Sequence, residues 1–175
     1  MQSLTVLGLT AALLAASPSA TAATGVASPV AVTVSFSPVL ERRLSDSYGE
    51  RERDALRAIV VDSVGRAVDR RARRTPVAVE LNVEVVLADA LPSHPTRRQG
   101  LENPSIDPIR SRSLGGADVA GTVRNSAGQV VATVSYGYFA PDLMIASSGG
   151  DAWADARIAI DRFADQLAAR LPGAR

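Results

Sequence analysis

The chain has a single histidine, His94, set in Pro92-Ser93-His94-Pro95, with Asp89, Glu102 and Asp107 on or beside the same stretch. Serine, histidine and a carboxylate are the parts of a nucleophilic hydrolase, in which the imidazole must reach the hydroxyl and an acid must orient the imidazole. Flanking prolines in an aperiodic stretch point instead to an exposed loop, so no catalytic residue is assigned. One imidazole also falls short of a catalytic zinc site, which takes three protein ligands with more nitrogen or sulfur than one His supplies. Glu80 and Glu84 fall on one strand face and could in principle form a glycosidase pair, but valines alternate with them and they read as the wet side of a sheet. Gly115-Gly116 and Gly149-Gly150 lack the spacing of a phosphate loop. The first precedes a strand, and Asp151 after the second would repel an anion from the helix that follows. No metal and no cofactor is expected.

The elements that would position these residues show in the periodicity. Val30, Val32, Val34 and Phe36 alternate with small or polar residues, the pattern of a half-buried strand that Pro38 ends. A helix is expected from about Glu50 to Arg73, with Ser47 and Glu50 as a capping box. Its apolar stripe is Leu56, Ile59, Val60, Val64, Ala67 and Val68, widened by Val61. Asp62 before Arg66 and Asp69 before Arg73 have the favourable i, i+4 spacing, and Arg70, Arg71, Arg73 and Arg74 suit the negative end of the helix dipole. Pro76 closes the helix, and Val77, Val79, Leu81, Val83, Val85 and Leu87 mark the next strand.

From Leu91 to Leu114 periodicity is lost, and Arg97, Arg98, Arg110 and Arg112 are spaced among prolines. A loop this long inside a compact domain is functional or mobile. Ala117 to Arg124 and Gln129 to Phe139 then form a hairpin across Asn125-Ser126-Ala127-Gly128, with Gly128 free to take the positive φ of a bulge. A last helix begins near Asp151, and Trp153, Ala156, Ile160, Phe163, Ala164, Leu167 and Leu171 fall on one stripe. The predicted fold class is α+β: strand, helix, strand, loop, hairpin, helix, giving a four-stranded mixed sheet with two helices packed on one face. Trp153, Phe163 and Leu167 should pack against Val79, Leu81 and Val83.

Between the hairpin and the last helix lies Phe139-Ala140-Pro141-Asp142-Leu143-Met144-Ile145-Ala146, a connection with four large apolar residues where solvated loops are normally polar. Either these side chains fold back under the last helix and extend the core, or they form an exposed apolar tip that meets a partner. Leu143, Met144 and Ile145, with Ile158 on the polar side of the helix and Arg97 and Arg98 on the long loop, are the expected partner-binding residues.

Composition places the chain. No side-chain charge occurs before Glu41, and Leu4 to Ala16 is an apolar run of about 13 residues, the length of a signal-peptide core and too short to span a bilayer. Pro18 breaks the run, and Ala20-Thr21-Ala22 has the small-x-small pattern of a signal peptidase site, so 1–23 reads as a signal peptide and 24–175 as one α+β domain. The purified native protein is therefore expected to begin at Ala23 or Thr24, and N-terminal mass spectrometry finding Met1 intact in the exported fraction would refute this. There is no cysteine, hence no disulfide and no lipid anchor, and the mature chain should have no transmembrane segment. All 19 basic residues are arginine and 18 acids balance them, which removes the surplus charge that nucleic-acid binding needs. The expected location is periplasmic or secreted.

Gly115-Gly116-Ala117, Val119, Gly121-Thr122-Val123, Asn125, Gly128 to Ala132, Trp153, Ala159-Ile160, Phe163-Ala164 and Leu167 together form a pattern over about 60 residues. It resembles a group of uncharacterised bacterial envelope proteins, often lipoproteins, of the domain-of-unknown-function kind. The resemblance implies a fold similar to small periplasmic α+β modules such as the N-terminal domain of the Tol translocation protein, and it carries over no functional residue. The resulting expectation is a non-enzymatic exported accessory or binding module that contacts a cell-envelope protein, with no nucleic acid as partner. The alternative is a small exported hydrolase using the 91–113 loop.

Overall fold

The computed structural model describes residues 30–74, 80–107, 110–146 and 151–172. The expected signal peptide lies outside them, as do Val77 and Val79. Strands β1 (Val30–Phe36), β2 (Leu81–Leu91), β3 (Gly116–Arg124) and β4 (Val130–Phe139) form one sheet in the order β1-β2-β3-β4. β1 runs parallel to β2, with Val30 opposite Leu81, and the remaining pairs are antiparallel. The fold is therefore α+β with a mixed four-stranded sheet. The hairpin turns where its sequence places it, with Gly128 at φ +77° and a bulge between Val123 and Arg124.

Helices α2 (Glu50–Ala72) and α4 (Ala154–Arg170) cover the sheet face formed by Leu81, Val83, Val85 and Leu87, and they pack on each other. All six stripe residues of α2 and all seven expected on and around α4 are buried. Val61 departs from its expected place, being 38% exposed, because it lies past the edge of the stripe that α4 and the sheet can cover. The charges of α2 also depart from expectation. Arg66 meets Asp161 at 3.4 Å in place of its expected i, i+4 partner Asp62, and Arg70 meets Asp165 at 2.6 Å, both across the helix pair. Ser63 donates to the same Asp161 at 2.5 Å.

Two short helices were not expected. Ser37 accepts from Leu40 N and caps α1 (Pro38–Arg43), which continues through a π-helical turn over Leu44–Tyr48. Leu40, Leu44 and Tyr48, each four residues apart, bury one after another. This path displaces the expected capping box: Gly49, at φ +102°, precedes α2, and Glu50 pairs with Arg53. The other short helix is α3 (Arg97–Glu102), within the stretch read as a loop, where Thr96 and Gln99 form a complete capping box.

β2 begins at Leu81, after Glu80 at φ +61°, so Glu80 lies outside the strand that carries Glu84. Both carboxylates are exposed, and Glu84 pairs with Arg124 at 3.5 Å. Asp151 does shape the entry to α4: its carboxylate accepts from Trp153 N at 3.0 Å, and the helix starts at Ala154. The Trp153 ring meets Tyr48 edge-on at 5.6 Å and donates from Nε1 to Glu52 at 2.7 Å, so it closes the end of the core beside α1 and α2.

Candidate functional site

Past β2 the chain enters Pro92-Ser93-His94-Pro95, and here expectation fails most sharply. Ser93, His94 and Thr96 are all buried, with His94 only 1% exposed. The segment forms a buried strap rather than a solvated loop. Ser93 N donates to Ala152 O at 2.7 Å, Ser113 N donates to Ser93 O at 2.9 Å, and Ser113 Oγ donates to Pro92 O at 2.5 Å. The strap is thus laced between the start of α4 and the segment leading into β3.

Its deepest link is between two fully buried side chains. Ser93 Oγ donates to Asp155 Oδ2 at 2.8 Å and accepts from Asp155 N at 3.1 Å. A buried carboxylate persists only where hydrogen bonds replace its water, and Ser93 supplies one of them from 62 positions away. Gly115 leaves the room for this: a Cβ there would stand 2.2 Å from Ser93 Oγ. Thr96 is satisfied by its own helix cap. His94 differs, because neither Nδ1 nor Nε2 has a hydrogen-bond partner among the described residues. Ser93, His94 and Asp155 are near in sequence or space, yet the hydroxyl serves the carboxylate directly and the imidazole takes no part.

Beside the strap lies a cavity of about 380 Å³, whose wall includes Tyr48, Leu91, His94, Ile106, Arg112 and Leu114. Burial pushes the Tyr48 phenol above its ordinary value of 10, with Arg43 pulling it down and Asp89 adding to the rise. Its hydroxyl therefore stays neutral over the physiological range. Arg112 Nη2 donates to Ala146 O, while its Nε is buried without a partner among the described residues. No group of three or more His, Asp or Glu that could hold a metal ion occurs among the described residues.

Arg112 connects the cavity to the second feature, the turn after β4. Ala140 N donates to Gly115 O at 2.8 Å, and Asp142 Oδ1 accepts from Met144 N at 2.9 Å and Ile145 N at 3.0 Å. Ala140 and Ala146 are buried at either end. Between them Leu143, Met144 and Ile145 stand 50%, 93% and 58% exposed. Of the two courses open to this segment, the three side chains take the exposed one, on a turn held by Asp142.

The other candidate residues sit elsewhere. Ile158 is partly exposed on α4. Arg98 is held by Glu102 at 2.7 Å and by Ser45 O at 2.6 Å. Arg97 lines a polar groove with Arg51, Asp151 and Arg157. The bonds that fix the 140–146 turn come from Gly115, Asp142 and Arg112, and none of these three candidates shares in them. The residues that sequence reasoning missed are Asp155 and Arg112. Asp155 did leave a signal, since it falls in phase with Ala159 and Phe163 on the dry side of α4.

Fold and site together define an α+β chain with a small cavity at one end of its sheet and a rigid apolar turn beside it. No family model, curated protein or solved structure matches the chain. Among the described residues no helix is long and apolar enough to cross a membrane.

Proposed function

We propose that the chain is a non-enzymatic, exported accessory module, periplasmic or secreted, that presents its apolar turn to another cell-envelope protein. One observation carries this reading: Leu143, Met144 and Ile145 are exposed in succession on a turn whose backbone is already fixed by Asp142. A preformed turn loses little conformational freedom on binding, and the unbranched Met144 adapts to an irregular pocket. The carboxylate of Asp142 at the base of the turn favours a protein pocket over an anionic lipid surface, which would repel it. The use of the Ser93 hydroxyl by Asp155 supports the non-enzymatic part of the reading.

The double change Leu143→Ser with Met144→Ser tests it. Because these side chains touch little of the protein, unfolding free energy should stay within about 0.5 kcal/mol of the parent. A photo-crosslinking residue at position 144, introduced in the exporting cell, should give one discrete adduct that mass spectrometry assigns to an envelope protein. A Leu143→Ser change in the same chain should abolish that adduct. A large fall in stability, or an adduct indifferent to Leu143, would remove the turn as an interaction site.

A further inference from the structure

A buried imidazole always has at least one N–H to place, and when neutral an acceptor nitrogen as well. In His94 neither nitrogen has a partner among the described residues, although Ser93 and Thr96 on either side are fully satisfied. Buried polar groups are left unpaired rarely and at a cost. The ring forms part of the wall of the 380 Å³ cavity, so a partner for it would come from that space.

The same wall supplies the rest of a recognition chemistry. Arg112 is held in place by its bond to Ala146 O, and its Nε is a second buried donor without a partner among the described residues. A guanidinium carries a positive charge at any physiological pH. Leu91, Ile106 and Leu114 are hydrocarbon, Tyr48 adds an aromatic ring, and no Asp or Glu is among the described residues that line the cavity. A single cation, an imidazole and apolar walls in one space match an anion carried on an apolar body.

We propose that this cavity binds a small hydrophobic monocarboxylate, whose head group accepts from Arg112 Nε and His94 and whose body lies against Leu91, Ile106 and Leu114. The volume, about 380 Å³, falls near the lower end of the roughly 300–1,000 Å³ range of small-molecule sites. That suits a benzoate or a medium-chain fatty acid and is too small for a phospholipid. One guanidinium matches one negative charge, which favours a carboxylate over a phosphate monoester. The cavity shares Arg112 with the apolar turn, but carboxylate binding and capture of a protein at the turn are read by separate experiments.

The chain contains one tryptophan, Trp153, in edge contact with Tyr48 on the cavity wall, so its fluorescence reports occupancy. The probes are benzoate and octanoate, their uncharged counterparts benzamide and octanol, acetate, and inorganic phosphate. Saturable binding of benzoate or octanoate is expected, about tenfold or more tighter than their uncharged counterparts, acetate or phosphate. Arg112→Gln should erase that preference, with circular dichroism showing that the fold is kept. His94→Leu should weaken carboxylate binding while raising the melting temperature, because it removes an unsatisfied polar ring. If Arg112→Gln does not fold, the comparison of benzoate with benzamide on the unmodified protein decides alone. Equal affinity for that pair, no saturation below about 10 mM, stronger binding of phosphate, or unchanged benzoate affinity in a more stable His94→Leu protein would each overturn the proposal.

Discussion

Phe163→Ala is expected to lower unfolding free energy by about 3–5 kcal/mol, the usual penalty for emptying a fully buried aromatic site. The ring is wholly buried and rests on the backbone of β3 at Gly121, where an added Cβ would stand 2.6 Å from Cζ. Gly121 in turn pairs with Val85 at the centre of the sheet. The substitution thus opens a void between α4 and two strands that are held at fixed spacing by their ladder. Urea unfolding would read the loss as a shift in midpoint at constant slope. A loss below about 1 kcal/mol would mean that α4 does not dock on β3, since buried large-to-small changes in a fixed core cost more than this.

Gly115→Ala should be nearly as damaging, although it adds only one methyl group. The new Cβ would stand 2.2 Å from Ser93 Oγ and 2.8 Å from Ser93 N, and the second of these is backbone laced to Ala152. Relief requires moving the strap, which loosens the bond between Ser93 and the buried Asp155. Overpacking costs about 1–3 kcal/mol, and weakening a hydrogen bond to a charged group about 1.5–3 kcal/mol, so a loss of about 3 kcal/mol or more is expected. Ser93→Ala alone removes the hydroxyl and should cost about 1.5–3 kcal/mol. In the double variant the closest clash is gone, so the combined loss should fall short of the sum of the two single losses. Strict additivity, or a Gly115→Ala protein as stable as the parent, would show that the strap is not packed against Gly115.

These two sites differ in how far the sequence discloses them. β1, the hairpin and the stripe of α4 are local patterns, and Val30 to Phe36 or Trp153 to Leu171 declare their buried faces at periods of two and 3.6. The α+β class and the pairing of strands follow from their order. The short helices left capping signals that were not read as helices. Ser37 and Pro38 begin α1, Leu40 and Leu44 sit four apart, and Thr96 with Gln99 is a capping box, but each helix is too short for a periodic signal. The burial of His94 was not legible. It depends on Ser93 finding Asp155 at the far end of the chain and on the bare surface of Gly115, and prolines in sequence look alike whether a strap is wet or dry. The exposure of Leu143 to Ile145 stood between two readings because hydrophobicity alone does not say whether a turn points in or out. The carboxylate of Asp142 bonds to the backbone amides of Met144 and Ile145 and holds the turn on which they are exposed.

The parallel pairing of β1 with β2 also orders events in time. Val30 bonds alongside Leu81 and Phe36 alongside Leu87, with α1 and α2 lying between the two strands in sequence. β3 and β4, by contrast, meet across Asn125 to Gln129. A chain emerging from the ribosome has completed α2 before any residue of β2 exists, so its first strand has nothing to pair with, and closing so long a loop is slow once it does. Much of the apolar face of α2 likewise waits for α4, which follows the sheet in the chain. For the exported chain proposed above, this topology defers the fold: β1 stays an unpaired thread, the form that an export channel accepts, until β2 has been made, and α2 stays partly uncovered until α4 follows.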